Sequence, residues 1–418
     1  MDKRGIIIIG EGPAGLMAAG TAAETGADVL LLGKTDKVGK KLLITGNGRC
    51  NLTNTTGLRE FIDRFGKGGK FLRQALTRFF NTDLMAFFES LGVPLVIESG
   101  QFVFTKSGKS RDVVDAITKW ALNNGMTIRL DSAVKEILVE DKHVKGVRLD
   151  SGEQIGANAV ILATGGASYP ATGSQGDGFA MAKKTGHHIV PIRPTLVPLK
   201  TAGKTAQSLQ GLSLADVNVR ILIDGKRLCQ KIGEILFTHF GLSGPTVLSL
   251  SKSAVDSLAE GKKVTASIDF KPELDEKKLD ELLMQNLAKQ GKAQIGTMLK
   301  KFLPSRLATA FCELTNVEPA KPCSQVSANE RKKLRLLMKD FRLEIVGHLS
   351  FEQAIVTAGG VDTKQIDPRT MESKIIDGLY FAGEVIDIDA DTGGFNLQAA
   401  FSTGSLAGHS AAEKIKHP

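Results

Sequence analysis

An α/β protein built on a doubly wound, largely parallel sheet is the fold class this sequence predicts, and three observations carry it. Residues 5–32 read as strand, glycine turn, helix and strand, the opening unit of such a sheet. An apolar strand, Ala159–Ala163, runs straight into Thr164-Gly165-Gly166. Strand-like and glycine-rich segments return from about residue 345 onward, so both ends of the chain are expected to build one domain.

After the opening unit, helical patterns cover about 70–91 and 110–124, with Asn81 and Ser110 as caps and Gly92 and Gly125 as stops. Three short strands are expected between about 133 and 157, and a helix at about 176–185 stops at Gly186. The character changes near Pro191-Ile192-Arg193-Pro194. Short strands dominate from about 195 to 270, with a hairpin at Asp224-Gly225. From about 273 to 340 the pattern is helical: Leu279, Leu282, Leu283 and Leu287 share one stripe, and Pro304 suits a first helical turn. Ser327-Ala328-Asn329-Glu330 has the form of a capping box. The expected division is a discontinuous α/β domain of residues 1–192 and 345–418, a β-rich domain of 193–271 with part of 341–356, and a helical domain of 272–340.

A chain of 418 residues is long enough for two or three domains with sizeable cores. Its four cysteines form no CxxC pair, which excludes a disulfide scaffold and a zinc ribbon and fits a reducing compartment. The run of four isoleucines is too short for a signal-peptide core, and no stretch approaches bilayer length, so a soluble cytoplasmic protein without a membrane partner is expected. The net charge is +9, but lysine and arginine are scattered. The densest cluster, Arg331-Lys332-Lys333 with Arg335, Lys339 and Arg342, interleaves with Leu334, Leu337, Met338 and Phe341 at helical spacing. That reads as an amphipathic helix with a solvated basic face and weighs against a nucleic-acid partner. Adjacent His187-His188 diverge on any regular element, so no metal site is expected there.

The chemistry begins at Gly10-Glu11-Gly12-Pro13-Ala14-Gly15. Gly10 makes the tight turn, Gly12 lets backbone approach a pyrophosphate, and Gly15 lets helix and strand pack closely. The free N–H groups of the helix start then face phosphates. FAD is long and needs contacts from distant parts of a chain, and three further segments suit that. Thr45-Gly46-Asn47-Gly48-Arg49-Cys50-Asn51 is a backbone-rich loop with one cation for a phosphate. Thr164 and Gly165 end a buried strand. Gly383-Glu384 ends another, with a carboxylate for ribityl hydroxyls, and Gly394-Phe395-Asn396-Leu397 offers helix-start N–H groups to a flavin ring. Lys34 and Lys41 complete the candidate cofactor set.

With these motifs in hand, the chain resembles the bacterial NAD(P)/FAD-dependent oxidoreductase family that includes aminoacetone oxidase and bile-acid enone reductases. The resemblance runs nearly end to end. It rests on the glycine turn, Thr45–Asn54, Ala163–Gly166 with Ser168-Tyr169-Pro170, Phe237–Pro245, Thr357-Ala358-Gly359-Gly360-Val361, and the C-terminal Gly-Glu and Gly-Gly-Phe-Asn-Leu-Gln stretches. It implies a glutathione-reductase-type FAD domain made from both chain ends, with β-rich and helical domains inserted, and backbone bonds from Val134 to the adenine.

Two residues depart from the pattern. The second strand of such folds ends in Glu or Asp, which accepts hydrogen bonds from the adenosine ribose, but here Gly33 stands at that place. Conversely, Glu11 occupies a turn position where the resemblance implies a small neutral residue. At ~7 Å and an effective dielectric of ~20, a carboxylate beside a phosphate costs roughly 2 kcal/mol. A nanomolar cofactor is held by about 12 kcal/mol, so binding survives. Three readings are open: Glu11 reaches the ribose and replaces the missing acceptor, FAD binds more loosely, or the pocket has lost its cofactor.

The expected function is FAD-dependent redox chemistry on a small molecule, either oxidation of an amine or aminoketone or reduction of an activated double bond. There is no redox cysteine pair, and Gly173–Gly178 follows no strand, so a dedicated NAD(P)H domain is not expected. Either NAD(P)H visits the flavin transiently or oxygen reoxidises it. Tyr169 and His239 are polar candidates near the chemistry, though each suits a structural role as well, and no catalytic acid or base is identified. The basic charge leaves a nucleic-acid-associated flavoprotein as an alternative, and Glu11 with Gly33 leaves a cofactor-poor binding protein.

Overall fold

The computed structural model describes residues 3–417. The chain forms two compact units, Met1–Pro194 with Phe351–Pro418, and Thr195–Ser350.

The first unit is organised by a seven-stranded sheet. Strand β1 (Lys3–Ile9) lies between β2 (Val29–Leu32) and the strand Gln154–Leu162, parallel to both. Thr127–Arg129 extends the sheet beyond β2, and Leu379–Phe381 adds in parallel beside Gln154–Leu162. Val134–Glu140 and His143–Leu149 form an antiparallel flap on the first half of Gln154–Leu162. Ile6, Ile7 and Ile8 are wholly buried, as a parallel strand covered on both faces requires.

Helix α1 (Pro13–Glu24) follows the first turn, and its small residues admit a neighbour at close range. That neighbour is the C-terminal helix Phe395–Lys416: a Cβ on Gly404 or Gly408 would stand 2.4 Å from the Ala14 carbonyl oxygen or 2.3 Å from that of Ala18. The two chain ends therefore meet backbone to backbone.

Several local expectations shift. The long helix expected at 70–91 is two, Gly69–Arg78 and Asn81–Ser90. The break falls at Phe79, whose carbonyl accepts from the Gln398 amide and the Ser402 hydroxyl. Asn81 is the first helical residue, not the cap; Asp83 accepts the Phe80 N–H, while the Asn81 amide donates to the carbonyls of Asn54 and Thr56. Ser110 likewise starts its helix and donates to the Leu43 carbonyl. The last of the three short strands and Ala159–Ala163 merge into Gln154–Leu162.

The second unit is a closed antiparallel barrel. Around it run Leu199–Thr201, Gly241–Ser243, Lys226–Phe237, Ser213–Ile223, Val264–Asp269 and Phe341–His348, the hairpin turning at Asp224-Gly225 as expected. The four helices between Glu276 and Lys339 group within this same unit, around a core that includes Phe270, Phe311 and Phe341. The capping box at Ser327 and Glu330 is formed. On that basic helix Arg331 and Arg335 pair with Asp280, and Lys339 pairs with Asp269, so these charges are balanced inside the unit. Among the described residues no helix is long and apolar enough to cross a membrane.

Candidate functional site

The register of the parallel strands places four turns on one line. Ile9 pairs with Leu32 on one side and Leu162 on the other, and Leu162 pairs with Phe381. Gly10, Gly33, Ala163 and Ala382 therefore each begin a turn one residue beyond the same row. Ligands of doubly wound folds bind at this carboxyl edge, where connections part to opposite faces.

In the first turn two glycines are structural. Gly10 has φ +114°, and a Cβ there would stand 2.5 Å from the Ala163 carbonyl oxygen; a Cβ on Gly15 would meet the Gly10 oxygen at 1.9 Å. Gly12 is different, because a Cβ on it would meet nothing within 4 Å. It caps α1 and fronts open space, with Pro13 at the first helical position where no N–H is needed. The N–H groups of Ala14 and Gly15 precede the first intrahelical bond, which runs from Leu16 to Gly12, and are donors for an anion.

The turns that begin at Ala163 and Ala382 meet at Glu384. Its Oε1 accepts the Thr357 N–H at 2.7 Å, and its Oε2 accepts from Lys41 Nζ at 2.8 Å. Gly165, at φ +72°, borders the same carboxylate: its Cβ would lie 3.9 Å from Oε2. Thr164 Oγ1 is buried there without a hydrogen-bond partner. Gly383, at φ +75°, sits against Ala14 and donates its N–H to Thr403 Oγ1. Thr357, whose hydroxyl also accepts the Ala167 N–H at 2.8 Å, holds Glu384 in place, a role the sequence alone did not give it. Its signal was the Thr-Ala-Gly-Gly-Val segment.

The C-terminal turn joins the 45–54 loop. Gly394 has φ +89°, and a Cβ there would stand 2.5 Å from the Thr53 carbonyl oxygen. Asn54 donates to the Gly393 carbonyl at 3.2 Å, and Thr53 to Gln398 Oε1 at 2.6 Å. Asn396 turns its amide back on the chain, accepting from Ala390 N–H at 2.9 Å and donating to the Ala390 carbonyl at 3.0 Å. Its side chain clamps the turn, and the N–H groups of Phe395, Asn396 and Leu397 precede the first intrahelical bond, which runs from Gln398 to Gly394. Gly46, at φ +56°, packs on the backbone of Asn51.

The side chain of Arg49 does other work than expected. Arg49 pairs with Glu98 and lies over the Phe104 ring, 4.4 Å from its centre, so its charge is already balanced. Cys50 is wholly buried, and burial pushes its thiol up to about 12. It is a packing residue.

At the turn that ends β2, Glu11 meets Gly33. A Cβ on Gly33 would lie 3.3 Å from both Cβ and Cδ of Glu11. The Glu11 carboxylate accepts from Thr35 Oγ1 at 2.8 Å and Thr35 N–H at 3.3 Å. Lys34 points elsewhere, to Asp177 at 2.5 Å and Gln175 at 2.7 Å. The Gly33 carbonyl accepts from Ser132 N–H at 2.8 Å, which brings Val134, two residues on, to the same corner. Tyr169, at φ +54°, is held in a turn by its N–H to the Phe351 carbonyl. His239 belongs to the second unit, edge-on to Phe240.

Comparison with known proteins agrees with this fold. The family model described as HI0933-like protein Rossmann domain matches residues 4–410. The chain is 33% identical over 412 residues to the 3-dehydro-bile acid delta(4,6)-reductase of Clostridium scindens, covering 97% of this chain and 98% of the relative. It is 31% identical over 408 residues to the ribosomal RNA dihydrouridine synthase of Escherichia coli, covering 96% of each. Among solved structures, the open conformation of a flavocytochrome c3 fumarate reductase superposes with a TM-score of 0.54 at 20% identity, over 99% of this chain and 79% of that one. The 3-ketosteroid delta1-dehydrogenase of Sterolibacterium denitrificans gives 0.53 at 13% identity, over 99% and 100%. At such identities the likeness is one of fold.

Proposed function

The chain belongs to the HI0933-like family and is a flavin-dependent oxidoreductase, and from that premise we propose that it holds FAD and saturates an activated carbon–carbon double bond. The observation that carries the FAD reading is the row of four turns at one sheet edge, with open space beside Gly12. Bound there, FAD supplies hydride transfer.

The chain's own residues do the rest. The N–H groups of Ala14 and Gly15 hold the pyrophosphate with the help of the helix dipole. Glu384 serves hydroxyls of the ribityl chain, kept in place by Lys41 and Thr357 N–H. The N–H groups of Asn396 and Leu397, at the start of a 22-residue helix, favour negative charge on the flavin ring. Asn396 fixes the turn that aims them.

The choice of alkene reduction over amine oxidation rests on the relatives. A delta(4,6)-reductase and a dihydrouridine synthase are both named for saturating a carbon–carbon bond next to a carbonyl, so an enone-like acceptor is the shared chemistry. A free small molecule is the leading substrate class. A uracil in RNA is the second reading, favoured by the +9 charge and by the relatives of that name.

The test is anaerobic. Protein loaded with FAD absorbs near 450 nm; NADH or NADPH bleaches it, and a conjugated enone restores the colour while aminoacetone leaves the oxidised protein unchanged. Bleaching by aminoacetone, with no reoxidation by enones or uridine-containing RNA, would overturn the reading. Salt-sensitive retention of RNA separates the two substrate classes.

A further inference from the structure

We propose that Glu11 is the ribose acceptor of this site, doing from the first turn what an acid at the end of the second strand does in other doubly wound dinucleotide folds. The inference rests on the reading that the site holds FAD and concerns how this chain grips the adenosine half.

Gly33 leaves the tip of β2 without a side chain, and the volume a side chain there would enter is taken by Glu11: both its Cβ and its Cδ stand 3.3 Å from where a Cβ on residue 33 would be. Leu130 Cδ2 closes the other side at 2.6 Å. An acid at 33 and an acid at 11 compete for one space, and as like charges they repel. In this chain the carboxylate that fills that space arrives from residue 11.

Both hydrogen bonds to Glu11, from Thr35 Oγ1 and Thr35 N–H, fall on Oε1. Its backbone is fixed as well, since the Glu11 carbonyl accepts the Gly39 N–H at 2.9 Å. Among the described residues Oε2 takes no hydrogen bond, and the side chain is only partly buried. A carboxylate held by one oxygen, with the other open, is an acceptor waiting for a hydroxyl donor. Thr35 tethers the charge at the tip of β2, the place where the ribose acceptor of this fold class belongs.

A glutamate in the turn that only weakened pyrophosphate binding would be relieved by its removal. An acceptor would be missed. A hydrogen bond to a charged group is worth enough to change affinity by about 10- to 100-fold.

The test uses the full chain and needs no catalysis. FAD and its analogue lacking the 2′-hydroxyl on the adenosine ribose are titrated by flavin fluorescence into wild type, Glu11→Ala and the double variant Glu11→Gly/Gly33→Glu. Wild type is expected to prefer FAD over the 2′-deoxy analogue by about 10-fold or more. Glu11→Ala is expected to bind FAD about 10- to 100-fold more weakly, with the preference gone, and the double variant to recover both. Equal binding of the two cofactors by wild type, or FAD binding by Glu11→Ala as tight as or tighter than wild type, overturns the proposal while leaving the FAD site standing. Wild type that takes up no FAD at all overturns the cofactor reading itself, and shows before any variant is made.

Discussion

Ala14 and Gly383, from opposite ends of the chain, stand so close that a methyl group on residue 383 would lie 2.8 Å from the Ala14 Cβ. Gly383 also has φ +75°, a conformation that costs an alanine about 1–2 kcal/mol. Gly383→Ala is therefore expected to lose about 2–4 kcal/mol in all, clash included. Because the residue links the pyrophosphate turn to Glu384, the purified variant should also retain less flavin. Denaturant midpoints and the ratio of absorbance at 450 to 280 nm read the two effects separately.

Gly404→Ala tests the same seam with the sign reversed from helix propensity. In an open helix glycine to alanine gains about 1 kcal/mol. Here the new Cβ would meet the Ala14 carbonyl oxygen at 2.4 Å, so the helices must part or the chain must bend. Overpacking of this kind costs about 1–3 kcal/mol and outweighs the propensity gain. A lowered unfolding midpoint is the expected result; a raised one would mean that the two helices slide apart freely.

How much of this was legible in the sequence depends on the range of the interaction. The turn at Gly10 announces itself within six residues, because tight turn, close approach and helix start are all local demands. The strands that carry Ile9, Leu32, Leu162 and Phe381 are visible as apolar runs ending in small residues, but the row they form is set by pairing between distant segments. The tether from Thr35 to Glu11 was hidden, since nothing in a Gly-Lys-Thr-Asp stretch tells which way the loop folds back. Arg49 looked like a free cation because its partner Glu98 comes from a separate hairpin strand. Phe79 and Phe80 continue a helical apolar pattern, and only Gln398 and Ser402, from the far end of the chain, reveal why the helix stops there.

The two basic residues near the site should behave differently when neutralised. Lys41 and Glu384 are each about one-fifth exposed, at 22% and 20%, whereas Arg49 and Glu98 are at 43% and 39%. Lys41→Met strands a largely covered carboxylate and is expected to cost about 1–3 kcal/mol of stability. Arg49→Met removes a half-exposed pair and should cost about 0–1 kcal/mol. The control is Lys41→Met/Glu384→Gln, which should recover part of the loss; additive losses in that double-mutant cycle would mean that the pair does not couple.

Cys50 should resist alkylation in the native protein. Its thiol is wholly buried, and desolvation pushes it up to about 12, far above the pH at which iodoacetamide is used. Mass spectrometry after native labelling at pH 8 is expected to find Cys50 unmodified, and after labelling in denaturant to find it modified. Rapid native modification would show that the Thr45–Asn51 loop opens.

Acid should weaken the first unit in a window set by His187. The ring is 3% exposed, bonded to Ser373 Oγ at 2.8 Å and Thr185 Oγ1 at 3.0 Å, and stands edge-on to Phe381 in the strand that leads to Glu384. Burial lowers its pKa from 6.5 to about 4. The folded state therefore keeps the ring neutral where the unfolded chain already binds a proton. Its stabilisation is complete above pH 6.5 and is lost as pH falls through the folded value of about 4, a change of roughly 3 kcal/mol. Carboxylates such as Glu330, lowered from 4.5 to about 2 by Lys321 and Ser327, begin their own losses only below about pH 4.5, so the upper part of the window belongs to the histidine. Urea midpoints between pH 7 and 4.5 should fall for wild type and stay nearly flat for His187→Gln, which starts lower but has no proton to bind. Parallel slopes for the two proteins would show that the ring is protonated inside the fold and that its burial carries no acid sensitivity.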